Sequence, residues 1–270
     1  MSLNLPLLLE PAALAAVLPH PNLLIIDLCQ PQNWQQLHIA GAVHVNPGEL
    51  VSGLPPAAGK LPALAQLSAL FARIGYRPDQ HIVVYDDEGG GWAGRFIWTL
   101  DVIGHQHYSL LDGGLHSWYK EQHPVTSAVR EVEPTTVNIA LHNDVIAELD
   151  TVLAALQDPN IKIWDARSRE EYLGLRSGTA RAGHIPGAVN LDWQEVMDLT
   201  RNLRLLPLPV LQEKLASLGV AAGNTIITHC HSHHRSGLTY VVAKLLGYQV
   251  MGYHGSFGEW GNHPDVPIAK

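Results

Sequence analysis

A chain of 270 residues, 46% apolar and 16% charged, carries enough hydrophobic side chain to bury a sizeable core, and its length suits two domains. Its net charge of −8 argues against a general nucleic-acid surface, which needs clustered Lys and Arg. No apolar run approaches the roughly 20 residues that cross a bilayer. The apolar stretch Leu7–Leu9 is interrupted by Glu10, and the first basic residue is Lys60, so a signal peptide lacks its positive region and a cytoplasmic protein is expected.

Taken in chain order, the elements repeat. A short β-rich run ends at Asp27, and HIAGAVHVN follows from His38. A helix then closes at Gly75, and HIVVYD leads to Asp86 and a second helix closing at Gly104. DGGLHSW ends this first copy at Trp118. Residues 125–141 have no helical period and read as a linker between residues 1–124 and 142–270. The second copy answers in the same order, with IKIWD to Asp165, HIPGAVNLD from His184, a helix closing at Gly219, TIITHC to Cys230, a helix closing at Gly247, and HGSFGEW to Trp260. A period of about 140 residues suits a duplicated domain rather than a solenoid. Buried strands alternating with helices predict an α/β domain in each copy, a mainly parallel sheet with helices on both faces, and ligands beyond the carboxyl ends of the strands.

The chemistry gathers in the second copy. Residues 1–125 hold 5 basic and 10 acidic residues, and residues 143–270 hold 11 and 13, which favours an anionic small-molecule substrate in the second half. Two cysteines cannot make a disulfide framework. Cys29 follows a buried strand without basic company and reads as structural. Cys230 opens the loop CHSHHR, with a helix expected from Ser236 to Leu246. A thiol there meets unpaired amides and the positive end of a helix dipole. Arg235, His231, His233 and His234 add charge, and each influence favours the thiolate. The same ring of N–H donors, with Ser232 and Ser236, forms an anion nest. Arg235 either points at an anion or braces the loop through a carboxylate. The loop has an N/S composition that could bind zinc, but five neighbouring groups on one tight turn cannot converge, and no metal is expected. Asp165 and Arg167 can pair at the strand end, while Trp193, Glu259 and Trp260 suit packing.

The single cysteine opening a six-residue loop, DARS from Asp165, GHIPGAVN from Gly183 and the closing GSFGEW together resemble the rhodanese family, in particular tandem-domain bacterial rhodaneses of Pseudomonas and Azotobacter type. The resemblance covers nearly the whole chain. It implies two tandem rhodanese-like domains and a thiosulfate:cyanide sulfurtransferase. Cys230 would take the outer sulfur of thiosulfate as a persulfide, expel sulfite, and pass the sulfur to cyanide or another thiophile without a further cofactor. It also makes Arg167 and Trp260 candidate contributors near the cleft, Trp260 as a wall. Residue Asp86 stands where Cys230 does, so the first domain should be catalytically silent and serve as a rim of the cleft. Three alternatives remain. A cysteine-dependent phosphatase resembles this loop but places five residues between Cys and Arg, against four here. A 3-mercaptopyruvate sulfurtransferase has a Gly-Ser-Gly loop and an arginine where this chain has Glu171. A persulfide carrier would hand the sulfur to protein thiols.

Overall fold

The computed structural model describes Leu3 and residues 5–270. The first half builds a five-stranded parallel sheet in the spatial order Leu8–Leu9, Tyr108–Leu111, His81–Tyr85, Leu23–Asp27, Val43–His44. The second half repeats that order with Ile146–Ala147, Gln249–Tyr253, Thr225–His229, Ile161–Asp165 and Val189–Asn190. Helices α1 (Pro11–Val17), α2 (Pro31–Gln36), α3 (Leu64–Arg73), α4 (Gly91–Val102) and α5 (Gly114–Lys120) belong to the first sheet. Helices α6 (Leu149–Ala155), α7 (Arg169–Tyr172), α8 (Leu208–Ser217), α9 (Arg235–Leu245) and α10 (Ser256–Trp260) belong to the second.

Every residue of Leu23–Asp27 and of His81–Tyr85 is buried, because side chains alternate between two covered faces. Leu24, Ile26, Ile82 and Val84 pack with α3 and α4, whereas Leu23, Ile25, Val83 and Tyr85 pack with Leu14, Trp34, Leu115 and Trp118 from α1, α2 and α5. The second sheet does the same, with Ile226 and Trp164 toward α8 and α9 and with Ile163 and Ile227 toward α6 and α10. The expected helix after Cys230 starts one residue earlier than the sequence reading, at Arg235. It stops at Leu245, with Leu246 as its cap, before Gly247 turns the chain at φ +79°.

The α3/α4 face of one sheet and the α8/α9 face of the other share a single hydrophobic cluster. At its centre α4 lies against α9 at backbone contact: a Cβ on Gly94 would overlap the Gly237 carbonyl, and one on Gly237 would overlap the Arg95 amide. Each half also sends a segment over the other. From the first half, Lys60 pairs with Glu148 at 3.0 Å and Glu259 at 2.8 Å. From the second, Arg204 pairs with Glu121 at 2.5 Å and with Glu10, and the Leu205 amide donates to Asp112 at 2.8 Å. Residues 127–142 contain no helix or strand and run along the first half, tied by Thr135 to the Ala72 carbonyl and by His142 to the Val102 carbonyl. Val125 and Thr126, at the start of the expected linker, pair instead with His38–Ile39.

Since backbone cannot yield as a side-chain tip does, Gly94→Val or Gly237→Val should lower the unfolding free energy by about 1–3 kcal/mol or more. Urea denaturation followed by tryptophan fluorescence checks this; unchanged midpoints would mean that the helices can part without cost.

Candidate active site

The strand Thr225–His229 delivers Cys230 to the carboxyl edge of the second sheet, and the chain then turns tightly into α9. His233 makes the turn possible by adopting φ +56°. Two carbonyls of the loop are drawn backwards by the amides of α10: Phe257 donates to Cys230 O at 3.0 Å and Gly258 to His231 O at 2.9 Å. Among the described residues, the amides of His231, Ser232, His233, His234, Arg235 and Ser236 donate to no protein group other than the Cys230 sulfur. They stand on the loop where the sequence reading expects an anion nest, and the Ser236 amide hydrogen-bonds the sulfur.

Cys230 is 1% exposed, more enclosed than an open loop would leave it. Burial alone would push its thiol up. Arg235, the Ser236 hydroxyl and amide, and His234 more than reverse that, holding the pKa down at about 7. Cys29 has the opposite surroundings. Burial and then Asp27 push its thiol far above the ordinary range, as suits a structural residue.

The loop side chains divide by position. His231 and Ser232 are partly exposed at the mouth, and burial followed by Arg235 lowers the His231 pKa, so its ring is neutral at pH 7. Ser232 is covered by the first half, since a Cβ on Gly59 would overlap its carbonyl. His233 and Ser236 are wholly buried beneath the sulfur, with His233 Nδ1 2.7 Å from Ser236 Oγ. His234 turns toward the first half, where Glu88 hydrogen-bonds its Nε2 and Trp92 stacks on it at 4.2 Å. The histidines therefore point to different partners.

Arg235 takes both roles open to it, hydrogen-bonding the Cys230 sulfur and bracing the loop through a carboxylate. Its Nη1 and Nη2 donate to both Glu171 oxygens at 2.6 and 2.9 Å. Burial opposes the Glu171 charge, but Arg235 overrides it and holds that carboxyl down at about 2. Glu171 is itself fixed by a reciprocal cap with Ser168 at the start of α7.

Arg167 and Trp260 do not reach the cleft as donors or walls. Arg167 is 2% exposed, its guanidinium forked onto Asp165, bonded to the Gly183 carbonyl and laid over Phe257 at 3.8 Å. Its Nε and Nη2 are spent internally, and it adds positive potential near the loop. Trp260 is fully buried with its indole N–H on the Pro267 carbonyl, so it packs the core instead of lining the cleft.

Three contributors were missed from the sequence. In the sequence Glu171 stands out only as a departure from a family pattern, and no motif marks Glu88 for the site. Arg95 was not singled out. It is fully buried in α4, with Nη2 on the Leu50 carbonyl at 2.8 Å and its Nε and Nη1 unpartnered among the described residues. Burial pushes its pKa down to about 9, opposed by the nearby Cys230 sulfur. A lone arginine inside GWAGRFIWTLDV was the only available signal.

The first half builds the same nest and fills it. The Asp86 carboxylate accepts from the amides of Glu88, Gly89, Gly90 and Ala93 at 2.8–3.1 Å. Burial and then Glu88 raise its pKa to about 6.

The sequence model of the rhodanese-like domain matches residues 10–121 and again 148–263. The chain is 48% identical over 266 residues to a thiosulfate sulfurtransferase of Azotobacter vinelandii and 46% identical over 266 residues to one of Pseudomonas aeruginosa, covering 98% of this chain and 97% of each relative. It superposes on a 3-mercaptopyruvate sulfurtransferase of Escherichia coli with a TM-score of 0.82 at 25% identity, covering 93% of this chain and 99% of that one. With two matched copies and relatives aligned along almost their full length, the chain belongs to the rhodanese family.

Proposed function

We propose that this protein is a thiosulfate sulfurtransferase in which Cys230 carries the sulfur. The observation that bears most weight is a thiol held near pKa 7 on a loop whose six following amides have no other acceptor among the described residues. The Cys230 thiolate attacks the outer sulfur of thiosulfate; the S–S bond of thiosulfate breaks and sulfite leaves with the electron pair. The product is a persulfide anion on Cys230, whose terminal sulfur the amide ring can stabilise as it would an oxyanion. Cyanide or a thiolate then takes that sulfur and returns Cys230 to its starting state. No general base is required, because the nucleophile is already ionised. The chemistry uses protein groups alone.

The loop favours a small donor. With His231, Ser232, His233 and His234 between Cys230 and Arg235, and with the Arg235 fork held by Glu171, no free guanidinium greets a carboxylate such as that of mercaptopyruvate. Four intervening residues also enclose one sulfur atom more closely than a phosphate. The first domain is read as silent, since Asp86 occupies its own nest with a carboxylate that can neither attack thiosulfate nor leave room for it. Two unbridged cysteines and no helix, among the described residues, long and apolar enough to cross a membrane fit a reducing cytoplasm.

Cys230→Ser should abolish thiosulfate:cyanide turnover and the gain of one sulfur atom in intact mass after thiosulfate treatment. Cys29→Ser should preserve both. Activity surviving in Cys230→Ser, or faster turnover of 3-mercaptopyruvate or a phosphate monoester than of thiosulfate, would reverse the assignment. A candidate protein thiol that drains the persulfide faster than cyanide would make protein the acceptor.

The pH dependence follows from the sign of the thiol shift. Ionisation generates the nucleophile, so kcat/KM for thiosulfate should fall about tenfold per pH unit below the thiol pKa and level off above about pH 7. A profile that declines as pH rises through 7 would show that the protonated thiol, or another group, carries the reaction.

A further inference from the structure

We propose that His233 is a positioning residue for the sulfur: its Nδ1–H donates to the Ser236 hydroxyl oxygen and thereby commits the hydroxyl proton to Cys230 Sγ. This role presupposes Cys230 as the sulfur-carrying nucleophile and assigns the buried loop histidine a task apart from substrate contact.

The geometry leaves one consistent arrangement of protons. His233 is fully buried, its Nδ1 is 2.7 Å from Ser236 Oγ, and its Nε2 has no partner among the described residues. The ring stands edge-on to Trp98 at 4.6 Å, over Gly252, where a Cβ would overlap Nε2. Burial first, then Arg95, His254, His229 and His234, keep the ring neutral, so it carries a single proton. Placed on Nε2, that proton would be an orphaned donor in a dry site, and the Ser236 proton would be drawn to Nδ1 and away from the sulfur. Placed on Nδ1, it satisfies the serine oxygen and leaves Nε2 as a bare acceptor, the less costly kind of unsatisfied group. The Ser236 hydroxyl then has its only proton to give to the thiolate, which its side chain meets at the start of α9. Arg235 also hydrogen-bonds that sulfur through its guanidinium, and Arg95 adds positive charge from the first half; Ser236 offers it both an amide and a hydroxyl.

The arrangement also accounts for the conformation. At φ +56° the backbone turns the His233 side chain under the loop, where a β-branched or larger apolar residue would be strained and would supply no proton. Asn tolerates this conformation and places an N–H₂ near the position of Nδ1. Gly tolerates it and supplies nothing.

The test is made in a Cys29→Ser background by following the pH dependence of Cys230 alkylation alongside thiosulfate:cyanide turnover. His233→Gly should move the thiol ionisation upward from about 7 toward the ordinary cysteine value, with alkylation at pH 7 slowed about five-fold. His233→Asn should stay near the parent. Adding His233→Gly to Ser236→Ala should move the titration no further than Ser236→Ala alone. Equal effects of Gly and Asn, or a full shift in the absence of the hydroxyl, would overturn the relay. If the Gly variant loses its native circular dichroism, the imidazole ¹⁵N shifts of His233 in the unsubstituted protein decide the matter: a protonated Nδ1 is expected, and a protonated Nε2 refutes it. A parent protein that forms no persulfide on Cys230 would instead refute the nucleophile, whatever the tautomer.

Discussion

The crossing of α4 and α9 at Gly94 and Gly237 sets the geometry on which the site depends. Each of these helices begins directly after the loop at the carboxyl edge of its own sheet, so packing them at backbone contact brings the two loops together. A side chain at either glycine would push the helices apart. His234 would then part from Glu88 and Trp92, and Ser232 from Gly59. The interface is thus a condition of the loop's shape as well as a source of burial, since one hydrophobic cluster runs through both halves.

Two loops of the same construction hold different anions. In both, the amide of the second residue of a following short helix captures the carbonyl of the strand's successor residue: Leu115 donates to Asp86 O at 2.9 Å and Phe257 to Cys230 O at 3.0 Å. The peptides are thereby oriented with their N–H groups inward. At Asp86 the side chain is long enough to reach round and accept four of those amides itself. At Cys230 the shorter thiol leaves them unspent. The difference between a carboxylate and a thiol at this position therefore separates a closed, self-satisfied nest from one that leaves its amides free.

Much of this was legible in the sequence because it is encoded locally. The strands ending at Asp27, Asp165, Tyr85 and His229 are short β-rich runs bounded by turn residues. The repeat made each half evidence for the other, and the thiolate at Cys230 follows from a cysteine placed between a strand and a helix. What escaped depends on contacts between distant segments. Arg235 and Glu171 are 64 positions apart, and His234 and Glu88 are 146 apart. Nothing along the chain signals either pairing. Arg167 and Trp260 were misplaced for the same reason: proximity to the motif put them near the cleft, but Asp165 and Gly183 absorb one guanidinium and the Pro267 carbonyl absorbs one indole.

These long-range contacts also bear on what the first half brings to the site in the second. Cations around Cys230 would be costly to assemble from one small domain, because each must be held against the others in a dry site. Here the burden is divided. Glu171 of the second half neutralises Arg235, while Glu88 of the first half takes His234. Arg95, also from the first half, has no carboxylate partner among the described residues and retains its charge in the interior, with the sulfur as the anion it senses. A thiolate is favoured where positive charge is left slightly in excess of the carboxylates that hold it in place. That excess is assembled across the interface, so an isolated second half would keep the nucleophile and the amides but lose Arg95, the anchor of His234 and the cover on Ser232.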